Sequence, residues 1–172
     1  VSALRQSRFR AWDRFFLCAF AVFVLVAFVH EPLFYIYCGW DGLRHNSCSN
    51  ATIAAIWTGY AKSDPVYFDM PLWMALMIGF DTVLLSPFYV YPIYALLTGG
   101  VDTPRYRAIA YTASGALIYA MVLYLSWEIM SATRYHAFLP AVIGYNLPWG
   151  IVPLLLVIRL YRGAKVREAD PA

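Results

Sequence analysis

Residues 71–98 read PLWMALMIGFDTVLLSPFYVYPIYALLT, an apolar run long enough to cross a bilayer with one carboxylate, Asp81, inside it. As an α-helix rising ~1.5 Å per residue the run places Asp81 ~15 Å from its start, about the midplane of a ~30 Å hydrocarbon core. An acid at that depth costs at least ~2.5 kcal/mol on insertion scales. Intramembrane acids face cavities and pathways rather than lipid. Asp81 is therefore read as functional, against the alternative of an acid that only hydrogen-bonds a neighbouring helix.

The rest of the chain supports a membrane fold. Of 172 residues, 62% are hydrophobic, 18% aromatic and only 13% charged, outside the range of ordinary soluble domains. Three further runs, about 15–37, 106–127 and 139–161, are each near the ~20 residues a spanning helix needs. With 72–97 they make four spans and predict an all-α integral membrane helical bundle, one domain over residues 1–172. The first run is longer and more aromatic than the apolar region of a signal peptide and has no small-residue cleavage site close behind it, so it is read as a span.

Charge orients the bundle. Four spans put the N-terminus, the turn near residue 100 and the C-terminus on one side, with ten of the thirteen basic residues; only Arg44, Lys62 and Arg134 fall on the other. The positive-inside rule then predicts that both termini are cytoplasmic. The arginines flank spans singly, without a basic motif or stripe, so no nucleic-acid partner is expected. Cys18 falls inside the first span, where a small buried hydrophobe is its expected role. Cys38 and Cys48 share the outer loop and can pair if that side is oxidising. The same loop carries Asn50-Ala51-Thr52, an N-glycosylation pattern usable only in a eukaryotic source.

Along the chain, His30-Glu31-Pro32 closes the first span, with Glu31 ~24 Å along it, in the outer half of the bilayer. It is read as part of a buried site, the alternative being an interfacial residue at the helix end. Pro32 is expected to kink that helix. In the loop, Ile53 to Tyr60 is expected to lie as a helix on the surface, and Asp64 before Pro65 reads as a turn or cap signal. Pro87 and Pro92 leave carbonyls of the second span without partners, which predicts a bent helix beside a polar cavity. The third span ends near Trp127, placing Glu128 at the outer edge, where an interfacial role competes with a site role. Asn146 and Trp149, three apart on the fourth span, share one helix face. From Gly163 the chain reads as a short solvated tail.

Side by side, the spans bring Glu31, Asp81, Asn146, Trp149 and marginally Glu128 into the same half of the membrane. Carboxylates, an amide and an indole in a bundle interior suit an apolar ligand with a small polar or cationic centre. The sequence holds no metal-ligand cluster of His and Cys, no phosphate loop and no nucleophile motif, so no metal or cofactor is expected. An acid in an apolar pocket can hold a proton at neutral pH and deliver it to an alkene or epoxide. The same acids would equally attract an amine.

At these residues the chain resembles the EXPERA superfamily, which includes the emopamil-binding protein (the sterol Δ8-Δ7 isomerase) and the sigma-2 receptor. Trp57-Thr-Gly-Tyr-Ala-Lys-Ser-Asp64 looks like the isomerase's W-K-E-Y-A-K-G-D. Asp81 falls where both relatives carry glutamate. Ile118-Tyr119-Ala-Met-Val-Leu-Tyr124, through Glu128, is similar to I-Y-G-D-V-L-Y-F-L-T-E, and Asn146-Leu-Pro-Trp149 keeps an N-x-x-W pair that the sigma-2 receptor lacks. The isomerase's histidine, four residues before its first-span glutamate, aligns with Ala27; His30 is adjacent to Glu31 and expected on another helical face. The resemblance implies a four- or five-helix bundle in the endoplasmic reticulum, or the inner membrane of a bacterium, around a sterol-sized cavity. It implies Asp81 and Glu31 as catalytic acids, with Asn146, Trp149, His30, Glu128, Tyr119 and Tyr124 binding the ligand. The expected activity is that of an isomerase or cyclase of a sterol or terpenoid, working by protonation and a carbocation; the alternative is a non-catalytic receptor. Expected partners are the bilayer, a hydrophobic small molecule and, as an option, a second copy in a homodimer.

Overall fold

The structure is a computed structural model that describes residues 2–169, with side chains for 11–101 and 103–163. The side chains of Arg5, Arg8, Arg10, Lys165 and Arg167, on which the orientation argument draws, lie outside the described residues, as does the chain beyond residue 169. Among the described residues there is no strand, and four helical segments are long and apolar enough to span a membrane: Ala11–Tyr37, Leu72–Thr98, Pro104–Tyr135 and Leu139–Gly163.

The first span comprises α1 (Ser2–Leu25), a π-turn at Val26–His30 and α2 (Glu31–Tyr37). The loop that follows folds as α3 (Gly39–Arg44), α4 (Ala51–Ser63) and α5 (Val66–Asp69). The second span repeats the construction of the first: α6 (Leu72–Phe80), a π-turn at Asp81–Leu85, and α7 (Ser86–Thr98). Each π-turn lies just before a proline, Pro32 or Pro87. A proline cannot donate to the carbonyl four residues back and its ring presses on it. The preceding turn widens instead: the Glu31 amide donates to Val26 O and the Ser86 amide to Asp81 O, both across five residues. Pro92 sits inside α7 without such a turn.

Gly99, at φ 75°, takes the left-handed conformation that ends α7. Thr103 then caps α8 (Pro104–Tyr135) by accepting from the Tyr106 amide at 3.2 Å. The third span thus runs eight residues past the expected end at Trp127. Its last turns are polar but remain helical until His136, because the apolar pattern ended there and the backbone bonding did not. α9 (Leu139–Ala169) likewise continues through the expected tail at Gly163.

The helices associate as two pairs, α1 with α7 and α8 with α9. In the second pair a Cβ on Gly150 would stand 3.3 Å from Met121 Cβ, so the missing side chain permits close approach. Large side chains along the spans such as Phe28, Leu84, Leu97 and Ile129 are exposed; they face the lipid positions. Cys18 is exposed as well, which corrects its expected buried role: it lies on the outer side of α1, opposite the face of Phe16, Phe20 and Phe23 that is buried.

Two apolar cores hold the ends. Phe16, Phe20, Phe88, Tyr106 and Leu156 pack at the end where the termini lie. Phe34, Leu43, Val66, Met74 and Val142 pack at the end of α3–α5. The loop is fastened there rather than draped: Cys38 and Cys48 form a disulfide, Arg44 Nε donates to Phe68 O at 2.9 Å, and the Phe138 amide donates to Ser63 O at 2.8 Å. Asn50 caps α4, its Oδ1 accepting from the amides of Thr52 and Ile53. α4 therefore buries Ile53 and Ala61, and the expected surface helix is instead a lid on the bundle.

Candidate functional site

Between the two helix pairs and beneath the lid lies a cavity of about 890 Å³, toward the upper end of the ~300–1,000 Å³ usual for small-molecule sites. Glu31, Asp81, Asn146 and Trp149 all line it, and so do His30 and Tyr124. The two acids stand at the two π-turns, Glu31 directly after one, its amide closing it, and Asp81 at the start of the other. Widened turns recur at functional sites because they redirect a side chain that a regular helix would carry past.

Each acid is held by a neighbour. The Tyr89 hydroxyl donates to Asp81 Oδ1 at 2.6 Å, and Thr82 Oγ1 lies 2.7 Å from Glu31 Oε2 and 2.9 Å from Ile78 O. Thr82 is next to Asp81 in the chain, so its contact with Glu31 brings the two acids to the same wall of the cavity. An aromatic wall stands beside Asp81: Trp149 stacks on Phe23 with centroids 4.0 Å apart and planes 17° apart, and the Tyr89 ring lies 5.7 Å from Trp149. Such stacks fix ring orientation and contribute about 0.5–1.5 kcal/mol beyond area burial.

His30 was expected on a face other than that of Glu31. Both line the cavity, because His30 is drawn against the lid and stacks on Trp57 with centroids 5.1 Å apart. Ala27, in the position of the isomerase's histidine, is buried in packing and is not part of the cavity lining. Tyr119 does not join the site: it is 66% exposed and points away from the cavity. Its expected ligand role is corrected for a simple reason, since Tyr124 takes the inward face of α8 and Tyr119, five residues earlier, falls outside that stripe. Glu128 is not in the cavity lining either. It is fully buried behind it, against Asp64, rather than interfacial.

Sequence reading missed four neighbours. Asp64 is the C-cap of α4, as a cap signal implies, but it is also 0% exposed and accepts a hydrogen bond from the Tyr124 hydroxyl. Burial raises its carboxyl above the usual range, and the Tyr124 bond opposes that rise. Tyr60 accepts from Asn146 Nδ2 at 2.9 Å, and burial pushes its hydroxyl up. Trp57 and Tyr60 bring the lid's aromatic face to the ligand space. Tyr89 is recognisable only once the π-turn sets it beside Asp81, eight residues away. Among the described residues no three His, Cys, Asp or Glu side chains gather that could hold a metal ion.

A helical membrane protein with an acid-lined apolar cavity is the class that fold and site define. The model of the EXPERA family (EXPanded EBP superfamily) matches residues 52–160, well over half of the chain, and the protein belongs to that family. Membership fits a membrane sterol isomerase or a sigma-type receptor, since the family has both enzymatic and non-enzymatic members. No curated protein and no solved structure matches the chain at a significant level.

Proposed function

We propose that the protein is a membrane isomerase or cyclase that protonates an alkene or epoxide of a sterol or terpenoid, with Asp81 as the acid. The observation that carries this reading is the placement of Asp81 and Glu31 in one apolar cavity with the Phe23–Trp149 stack beside Asp81. In an isomerisation, the Asp81 proton adds to one alkene carbon with the π electron pair, leaving a cation on the other. Ring faces attract that cation, and the carboxylates stabilise it in an apolar site. Loss of a proton from a neighbouring carbon gives the shifted alkene; attack by a second alkene gives a ring.

Hydrogen counting around Glu31 supports a site that stores protons. Thr82 has one hydroxyl hydrogen, and the Ile78 carbonyl can only accept. A proton on Glu31 Oε2 lets Glu31 donate to Thr82 while Thr82 donates to Ile78, satisfying both contacts at once. Asn146 and Trp149, present as in the isomerase, support the enzyme over the receptor. The proposed location is the endoplasmic reticulum membrane, or the inner membrane in a bacterium, with both termini cytoplasmic and α3–α5 on the other side.

Asp81→Asn separates the readings, because Asn keeps the size and removes the acid proton. For a proton donor, turnover with a panel of sterols and terpenoid epoxides falls by at least ~10²-fold, as general acid catalysis implies, while a neutral sterol still binds. For a receptor, amine binding collapses and no isomeric product of unchanged mass forms with any variant. Product at the unmodified rate from Asp81→Asn removes the assignment and transfers it to Glu31.

A further inference from the structure

A polar chain leaves the cavity at the lid end and terminates in a second pair of acids that the proposed protonation does not use. Asn146 fixes its direction. Its Nδ2 donates to Val142 O at 2.8 Å, an atom that can only accept, and to the Tyr60 hydroxyl at 2.9 Å. Both amide hydrogens are then used, and Tyr60, accepting from Asn146, has its own hydrogen to give. The Tyr124 hydroxyl lies 3.5 Å from that of Tyr60 and gives its hydrogen to Asp64 Oδ2. With its hydrogen on Asp64, Tyr124 can only accept from Tyr60, so from Tyr60 onward the series runs from the cavity toward Asp64.

The far end is unsatisfied if both acids are ionised. Asp64 and Glu128 are each 0% exposed and interact directly, yet Asp64 Oδ1 and both Glu128 oxygens receive no hydrogen bond. Lys62 and Arg134, the cations closest to them in sequence, are exposed. Two anions in contact without a counter-charge are strongly disfavoured, and such pairs hold a proton between them. One proton between Asp64 Oδ1 and Glu128 provides for two of the three orphaned oxygens.

We infer that Asp64 and Glu128 share one proton and end a relay through Tyr60 and Tyr124 that takes up the proton released by a cation in the cavity. The inference rests on Asp81 being the acid that generates the cation. In the step, a C–H bond beside the cationic carbon breaks and its electron pair becomes the new C=C bond. The proton passes to the Tyr60 oxygen, the Tyr60 hydrogen to Tyr124, and the Tyr124 hydrogen to Asp64 Oδ2. The acid pair goes from one proton to two as Asp81 has gone from one to none, so charge balances, and return of that proton between turnovers resets both ends. Tyr60 touches the ligand. Asp64 and Glu128 act through the tyrosines and are positioning residues. Separate acids for entry and exit let the reaction run forward without the donor also having to reach the carbon that loses its proton.

The test uses the full chain in lipid bilayers. Infrared spectra in H2O and D2O are expected to show a deuterium-sensitive protonated-carboxyl band that Glu128→Gln and Asp64→Asn each alter. Spectra in which neither substitution changes such a band overturn the shared proton. Tyr60→Phe leaves both acids in place and breaks the relay. With a ring-alkene sterol, product formation is expected to fall at least ~10²-fold while the deuterium-sensitive carboxyl band persists, because the acid pair is intact and only the path to it is cut. Product at the unmodified rate overturns the relay, and so does loss of product together with that band, which marks a structural defect. If the unsubstituted protein forms no product, the isomerase reading falls and the relay's catalytic use with it, whereas the infrared result decides the shared proton by itself.

Discussion

At the scale of single residues, Asp81 is placed by its partners more than by its depth. A helix can turn a midplane acid toward lipid, toward packing or toward a cavity; the Tyr89 hydroxyl at 2.6 Å holds this one at the cavity wall. Tyr89 is itself fully buried, with its ring against Phe23 and Trp149. Tyr89→Phe therefore keeps the packing and deletes only the donor. Hydrogen bonds to a charged group contribute about 1.5–3 kcal/mol, and loss of even the lower part of that range as positioning predicts about a tenfold fall in turnover, since ~1.4 kcal/mol is tenfold. The thermal midpoint is expected to fall by only a few degrees in the same preparation. A lowered midpoint with turnover unchanged would show that Tyr89 serves the fold alone.

At the scale of elements, the two π-turns decide which side chains meet. Prolines in the apolar runs announced irregular backbone, but not its kind: Pro87 follows a widened turn, while Pro92 lies within α7. A π-turn is one residue more than a regular helix needs, so removing one residue restores the ordinary pitch. Deletion of Leu84, which is exposed at 62%, is expected to leave a stable bundle. It also rotates Asp81 by ~100° relative to Tyr89, one residue's turn of an α-helix. Thermal unfolding near the original midpoint with turnover lost is the expected pair of results; retained turnover would show that the widened turn does not set the acid's aim. The lid gives the matching lesson. The apolar piece from Ile53 to Tyr60 read as a helix in the sequence, whereas its docking under Phe138 depends on a chain segment that is distant in sequence.

For the whole molecule, two helix pairs leave a cavity between them and the loop closes one end. The proposed orientation places that closed end away from the cytoplasm, where an oxidising compartment sustains the Cys38–Cys48 bridge. A membrane-impermeant reductant added to sealed vesicles is then expected to open the bridge only when the non-cytoplasmic face is outside. Reduction only in vesicles of the opposite orientation would invert the topology. By itself the sequence determined the four spans, the polar positions within them and the family, because apolar length, charge and local motifs are properties of contiguous chain. It also put Asp81, Glu31, Asn146 and Trp149 at comparable depth, since depth follows from counting along a helix. Rotation about each axis was decided only by tertiary structure. His30 turned in, Tyr119 turned out, Glu128 was buried against Asp64 and Cys18 faced outward because side-chain direction depends on how helices pack and where their pitch breaks, and those contacts join residues that no local pattern relates.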